Sequence, residues 1–310
     1  MFRWLVNVGF LALPVAATLG ILLGLQMHRQ STGQAPLFGP PRDNKRVEKT
    51  YCQKSFGIHP DTRGLEYTLN PNQWAWDEGD PGFLCMNVTT NNNQTYASQT
   101  TAPPFRVFWQ YPQATDGQPV HAFPNIKVEG DVLPAKLDSV KQMNIDMQWI
   151  MRLDNKTDAP TDVDELQTGN VNSNVAIDMF MDSDKSKAAD SERAAYEVMV
   201  WFAAVGPATF AIGQKKGPIM SKILDGAHFY LYFDKNDRGQ NVLTWKSSDI
   251  AHDFHGDISP LMNEILRTRR EGFPSPSDYL GYFSFGSEAY HSDKPVTFSV
   301  PSLSIDIRKS

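Results

Sequence analysis

Tyr196-Glu197-Val198-Met199-Val200-Trp201-Phe202 changes chemistry residue by residue. Side chains of a strand alternate between its two faces. Tyr196, Val198, Val200 and Phe202 therefore share one face, while Glu197, Met199 and Trp201 share the other. A second run, Phe283-Ser284-Phe285-Gly286-Ser287-Glu288-Ala289-Tyr290, has the same character. Here Ser284, Gly286, Glu288 and Tyr290 share a face, with Phe283 and Phe285 behind it. A strand glutamate is ordinarily a solvated residue on the outer side of a half-buried sheet. Two of them beside Trp, Met and Tyr fit a carbohydrate site instead. There, paired carboxyls cut glycosidic bonds and aromatic faces hold sugar rings.

The surrounding chain repeats the strand pattern. Gly64–Leu69, Pro104–Tyr111, Val175–Met181, Ala227–Phe233, Gln240–Trp245 and Val296–Val300 are short apolar or alternating runs. Asn, Asp, Gly and Pro fill the gaps between them, as turns require. The expectation is an all-β jelly-roll sandwich of two antiparallel sheets with a concave substrate cleft. One packed helix is expected, with Ser259 as its cap, Pro260 at its first position and Gly272 at its end. Leu261, Ile265 and Leu266 form its apolar face.

The chain has 310 residues and a net charge of −6. Nucleic acid is excluded as a partner, because phosphate binding needs a basic stripe. Residues 4–27 are apolar over about the length of a bilayer-spanning helix. That length favours an uncleaved signal-anchor over a cleaved signal peptide. Residues 1–30 are thus read as the membrane segment, 31–50 as a linker and 51–310 as the catalytic domain. Two cysteines, Cys52 and Cys85, can form one disulfide or both stay free. Sequons at Asn87, Asn93 and Asn155 fit glycosylated surface loops. Together these favour an extracellular or secretory-pathway location with the catalytic domain outside. The tight histidine pair His252 and His255 reads as a solvated surface turn in a loop before the helix, and no metal set is expected. No cofactor is called for.

The order of blocks resembles glycoside hydrolase family 12, the jelly-roll endo-β-1,4-glucanases and xyloglucan-specific endoglucanases. The resemblance covers about Tyr51 to Ile307. It rests on Tyr67–Trp74 with its Asn72-Gln73-Trp74, on Phe83-Leu84-Cys85, on Asn174–Phe180, on Tyr196–Trp201 and on Phe285–Ala289. It implies retaining hydrolysis of a β-1,4-glucan or xyloglucan, with Glu197 as nucleophile and Glu288 as general acid and base. Asp178 would contact the nucleophile, and Cys52 would pair with Cys85. Asn72, Trp74, Met199, Trp201 and Trp109 would line the substrate site, Trp109 sharing its strand with core aromatics. A monomer is expected. Two departures stand out: no Gln-Trp follows Cys52, and Ala75-Trp76 replaces the glycine after Trp74. They leave open a catalytically inactive, membrane-tethered glycan-binding module. A related jelly-roll xylanase is a third reading.

Overall fold

Alternation of apolar and polar residues gives strands across nearly the whole chain after residue 45. The computed structural model describes residues 14, 16–25, 27, 46–91, 96–114, 120–157 and 159–310. The first eight strands are β1 (Arg46–Tyr51), β2 (Tyr67–Asn70), β3 (Phe83–Asn91), β4 (Phe105–Gln110), β5 (Asn125–Val128), β6 (Ala135–Lys136), β7 (Val140–Leu153) and β8 (Asn172–Asp182). Then follow β9 (Tyr196–Val205), β10 (Met220–Leu224), β11 (Ala227–Lys235), β12 (Asn241–Ser247), β13 (Asp253–Asp257), β14 (Tyr279–Gly286), β15 (Ala289–His291) and β16 (Val296–Lys309).

They form two sheets. The six-stranded sheet runs β1-β3-β4-β16-β7-β13. The ten-stranded sheet runs β10-β11-β12-β9-β8-β14-β5-β2, with β15 on β8 and β6 on β14. The chain is an all-β jelly roll, with one departure from a purely antiparallel pattern among the described residues: β12 pairs β9 in parallel. The core lies between the sheets. Phe285 of one sheet meets Phe298 of the other with ring centres 6.4 Å apart. Trp149, Trp245, Phe202 and Phe229 are also fully buried there, each contributing about 1.5–3 kcal/mol by leaving water.

Several boundaries differ from expectation. β1 pairs β3 from Arg46 onward, so the expected linker runs into the sheet and its last residues are strand. His255 lies within β13 rather than in a loop, its Nδ1 2.8 Å from the Asp146 carboxylate. Two short helices, α1 (Val163–Thr168) and α2 (Lys185–Ala188), accompany the expected one, α3 (Ser259–Thr268). Ser259 is the first residue of α3, not its cap; the cap residue is Ile258. The Asp257 carboxylate accepts from the Ser259 N–H at 2.8 Å instead. The helix ends at Arg269 in the left-handed region, three residues before Gly272.

The chain divides into two units, Met1–Asn44 and Lys45–Ser310. In the first, residues 14, 16–25 and 27 are helical. Residues 4–13, 15 and 26 of the expected membrane segment lie outside the described residues. Among the described residues no helix is long and apolar enough to cross a membrane. In the second unit Cys52 and Cys85 form a disulfide.

Candidate active site

β8 and β9 are neighbours, and their alternation turns one set of side chains to the core and the other away from it. Val175, Ile177 and Met179 join Val198, Val200 and Phe202 in the core. The outward set sits in register across the strands. Asp178 lies beside Met199, Phe180 beside Glu197, and Ala176 beside Trp201. On the other flank of β9, Val242 of β12 pairs Glu197 and Thr244 pairs Met199. Ser284 of β14 stands opposite Asp178.

β14 ends at Gly286, whose backbone packs against the preceding crossover. A Cβ there would lie 2.3 Å from the Pro124 carbonyl oxygen, so only glycine fits the approach. Two residues later comes Glu288. Its backbone N–H donates to Asn174 Oδ1 at 2.9 Å. Its Oε2 accepts from the Asn174 amide and from the Tyr290 hydroxyl, the latter at 3.1 Å. The Ser173 hydroxyl donates to the Glu288 carbonyl at 2.6 Å. The second acid is therefore held at both ends by β8, the strand that carries Asp178.

Three carboxyl groups thus share one poorly hydrated patch. Burial pushes Glu197 up to about 8, and the charge of Glu288 adds to the rise. Glu288 is raised to about 7 by burial, held back by the hydrogen bonds from Tyr290 and Asn174. Asp178 is pushed well above the carboxylate range by burial, then by Glu197 and Glu288. Its Oδ1 is buried without a hydrogen-bond partner. Three such groups cannot all ionise together. All three carboxyls are pushed toward their protonated forms, Glu197 further than Glu288.

The sequence matches glycosyl hydrolase family 12 over residues 65–308. The chain belongs to that family. A probable xyloglucan-specific endo-β-1,4-glucanase A from Aspergillus clavatus is 28% identical over 236 residues, covering 74% of this chain and 83% of the relative. A xyloglucan-specific endo-β-1,4-glucanase A from Aspergillus niger is 24% identical over 242 residues, covering 78% and 86%. Among solved structures, Trichoderma harzianum endoglucanase 3 superposes with a TM-score of 0.64 at 19% identity, over 87% of this chain and all of that one. A family 12 xyloglucanase from Bacillus licheniformis superposes with a TM-score of 0.61 at 14% identity, over 84% of this chain and all of that one. The protein is accordingly a glycoside hydrolase with the family's jelly roll.

In this family 12 chain the expected substrate residues fall into distinct places. Trp74 is 43% exposed on the turn after β2, open for ring stacking. Asn72 in the same turn has a left-handed backbone, and its amide donates to the Phe123 carbonyl at 3.2 Å, holding the turn. Met199 is buried beside Asp178. Trp201 lies on the Glu197 face but is only 3% exposed. Ala211, from the segment after β9, packs on it, and its indole N–H points at the Met199 sulfur at 3.4 Å. The expectation of an open sugar platform at Trp201 is corrected: the β9–β10 segment covers it. Trp109 is corrected too. It sits 1% exposed in the core between the sheets, because its inward position on β4 faces the apolar interior.

Asn87 lies half-buried on strand β3, not in a loop, because its sequon falls in an alternating strand run. Asn155 is exposed in a turn, and Asn93 lies outside the described residues. Asn174 and Tyr290 grip Glu288; neither is assigned a role at the site from sequence, although the alternation places Tyr290 on the Glu288 face. The signal was present in the period of two. Asn174 shares a strand face with Asp178, and Tyr290 shares one with Glu288.

Proposed function

We propose that this chain is a secreted, retaining endo-β-1,4-glucanase acting on a β-glucan or xyloglucan, with Glu197 as nucleophile and Glu288 as acid and base. The observation that carries the reading is the pair itself. Glu197 on β9 and Glu288 in the link between β14 and β15 are close enough for the charge of Glu288 to act on Glu197. Each is raised by burial, with the third carboxyl, Asp178, acted on by both. The names of the Aspergillus relatives support the substrate class.

In the first step the ionised Glu197 attacks the anomeric carbon, and the glycosidic C–O bond breaks. The departing oxygen takes the proton of Glu288, leaving it ionised. In the second step Glu288 takes a proton from water, whose oxygen attacks the same carbon and displaces Glu197. Each cycle restores both starting protonation states. Tyr290 and Asn174 donate to Glu288, which stabilises its ionised form between the steps. Burial, with the charge of Glu288, holds the proton of Glu197 more firmly than that of Glu288, so the reactive form needs a donor to Glu197. Asp178, short of a partner at Oδ1, is the group able to donate to Glu197 and favour its ionisation ahead of Glu288. Trp74 offers an exposed ring face for a flanking sugar.

The test is reducing-end release from xyloglucan, mixed-linkage β-glucan, carboxymethylcellulose and xylan by residues 46–310. The anomeric form of the first product is read by proton NMR. Release that is lost in Glu197→Gln, with the β-anomer formed first, is the expected result. An α-anomer formed first would overturn the retaining step. Faster cutting of xylan would overturn the substrate. No release with glycan binding retained would make the chain a binding module.

A further inference from the structure

The turn carrying Trp74 and the segment carrying Glu288 are separated by one short stretch of chain, residues 121–124. That stretch is bonded on both sides. The Ala75 N–H donates to the His121 carbonyl at 3.1 Å, and the Phe123 N–H donates to the Asn72 carbonyl at 3.0 Å. On the other side the His121 N–H donates to the Ala289 carbonyl at 2.9 Å, and the Ala289 N–H donates to the Ala122 carbonyl at 2.9 Å. Side chains add a second connection. His121 Nδ1 lies 2.6 Å from the Tyr290 carbonyl oxygen. A carbonyl only accepts, so Nδ1 carries the proton. The His121 ring lies flat on Tyr111, with centres 4.7 Å apart and planes 5° apart. The Tyr111 hydroxyl donates to Gln73 Oε1 at 2.7 Å. Gln73, fully buried between Asn72 and Trp74, donates to the carbonyls of Cys52, Gln53 and Leu84.

We propose that His121 is a positioning residue for the Glu288–Tyr290 segment, joined through Tyr111 and Gln73 to the turn that presents Trp74. The physical case is one of register. Tyr290 supplies its hydroxyl to Glu288 and its carbonyl to His121. The bond from Nδ1 fixes the backbone of the residue whose side chain grips the acid. The flat stack on Tyr111 holds the imidazole plane so that Nδ1 points there. Gln73 is a buried amide whose hydrogen-bonding atoms are engaged, which anchors the far end. The strut sets the spacing between the sugar platform and the acid, a spacing that neither strand fixes alone.

This rests on the reading of Glu288 as the acid, so the experiment carries a readout independent of turnover. His121→Phe keeps a ring to stack on Tyr111 and removes the donor. His121→Asn restores a donor close to the position of Nδ1. Expected for His121→Phe is a kcat about tenfold lower, with KM within about twofold of wild type. His121→Asn recovers most of that loss. The carboxyl carbon of Glu288, followed by NMR, titrates higher in His121→Phe, because a misplaced Tyr290 hydroxyl no longer favours the ionised form. Glu197, Asp178 and Asn174, which also bear on Glu288, are unchanged in both variants.

Wild-type kcat and an unmoved Glu288 titration in His121→Phe would overturn the proposal. So would equal impairment of His121→Phe and His121→Asn. Should His121→Phe fail to fold, Tyr111→Phe takes its place. It keeps the stack and cuts the link to Gln73, and a KM on β-glucan unchanged from wild type would count against the strut. Should wild type release no reducing ends from any glucan, the enzymatic reading fails while the Glu288 titration still decides the role of His121.

Discussion

The two faces of β8 and β9 differ in what burial does for the fold. On the inner face Val175, Ile177, Val198, Val200 and Phe202 are buried among apolar neighbours, and their burial stabilises. On the outer face Asp178 and Glu197 are withdrawn from water, with Glu288 brought against them from the link between β14 and β15, and their burial costs. The same backbone, with a period of two, hands stability to one side and the buried carboxyls to the other. Carboxyls kept protonated at neutral pH are expensive to hold, and the apolar face offsets that expense.

Three substitutions break this comparison at graded strength. The largest effect is on activity. Glu197→Gln is expected to lower kcat on the preferred glucan by about a thousandfold or more, measured by reducing-end release. Its circular dichroism is expected to be unchanged. Next is the inner face. Phe202→Ala is expected to cost about 3–5 kcal/mol, measured by chemical denaturation. The turnover of the molecules that remain folded is retained. The smallest is Tyr290→Phe, which removes a donor from Glu288 without emptying the core. Here kcat is expected to fall about tenfold. The pH at which Glu288 gives up its proton rises, because a bond that favours its ionised form is gone.

A pH series sharpens the same contrast. Folded-state Glu197 and Glu288 hold protons that the unfolded chain releases near pH 4.5. Their contribution is therefore fully present below about 4.5 and is lost as pH rises through about 7 to 8. The wild type is expected to lose about 2 kcal/mol or more across that window. The acid limb of its activity is expected to lie above the ordinary carboxylate range, since Glu197 must ionise while Glu288 keeps its proton.

Much of this was legible in the chain. The alternation around Glu197 gave its strand and faces, and that around Phe283 and Phe285 gave core partners, because side-chain direction in a strand is local. The second run is not one strand, since β14 ends at Gly286 and Glu288 falls in the link before β15. The outward direction of Asp178 follows from the same rule, while its place beside the nucleophile came from the family resemblance. What depended on long-range contact was not. Trp201 reads as a platform until Ala211, ten residues on, folds back over it. Trp109 reads as either core or site, and only the opposing sheet decides. The parallel β9–β12 pairing leaves no mark on either strand's composition. The grip of Asn174 on Glu288 needs a contact between residues 114 apart in sequence.

The central claim is that Glu197, a carboxyl whose burial opposes its ionisation, does the chemistry in its ionised form at the expense of the fold. The most direct test measures thermal midpoints of wild type and Glu197→Gln from pH 4.5 to 8, with glucan hydrolysis on the same samples. The account predicts an inactive variant whose midpoint exceeds that of wild type by roughly 4–8 °C at neutral pH. That gap should close toward pH 4.5. A variant that still cuts glucan, or one whose midpoint follows wild type at every pH, would contradict it.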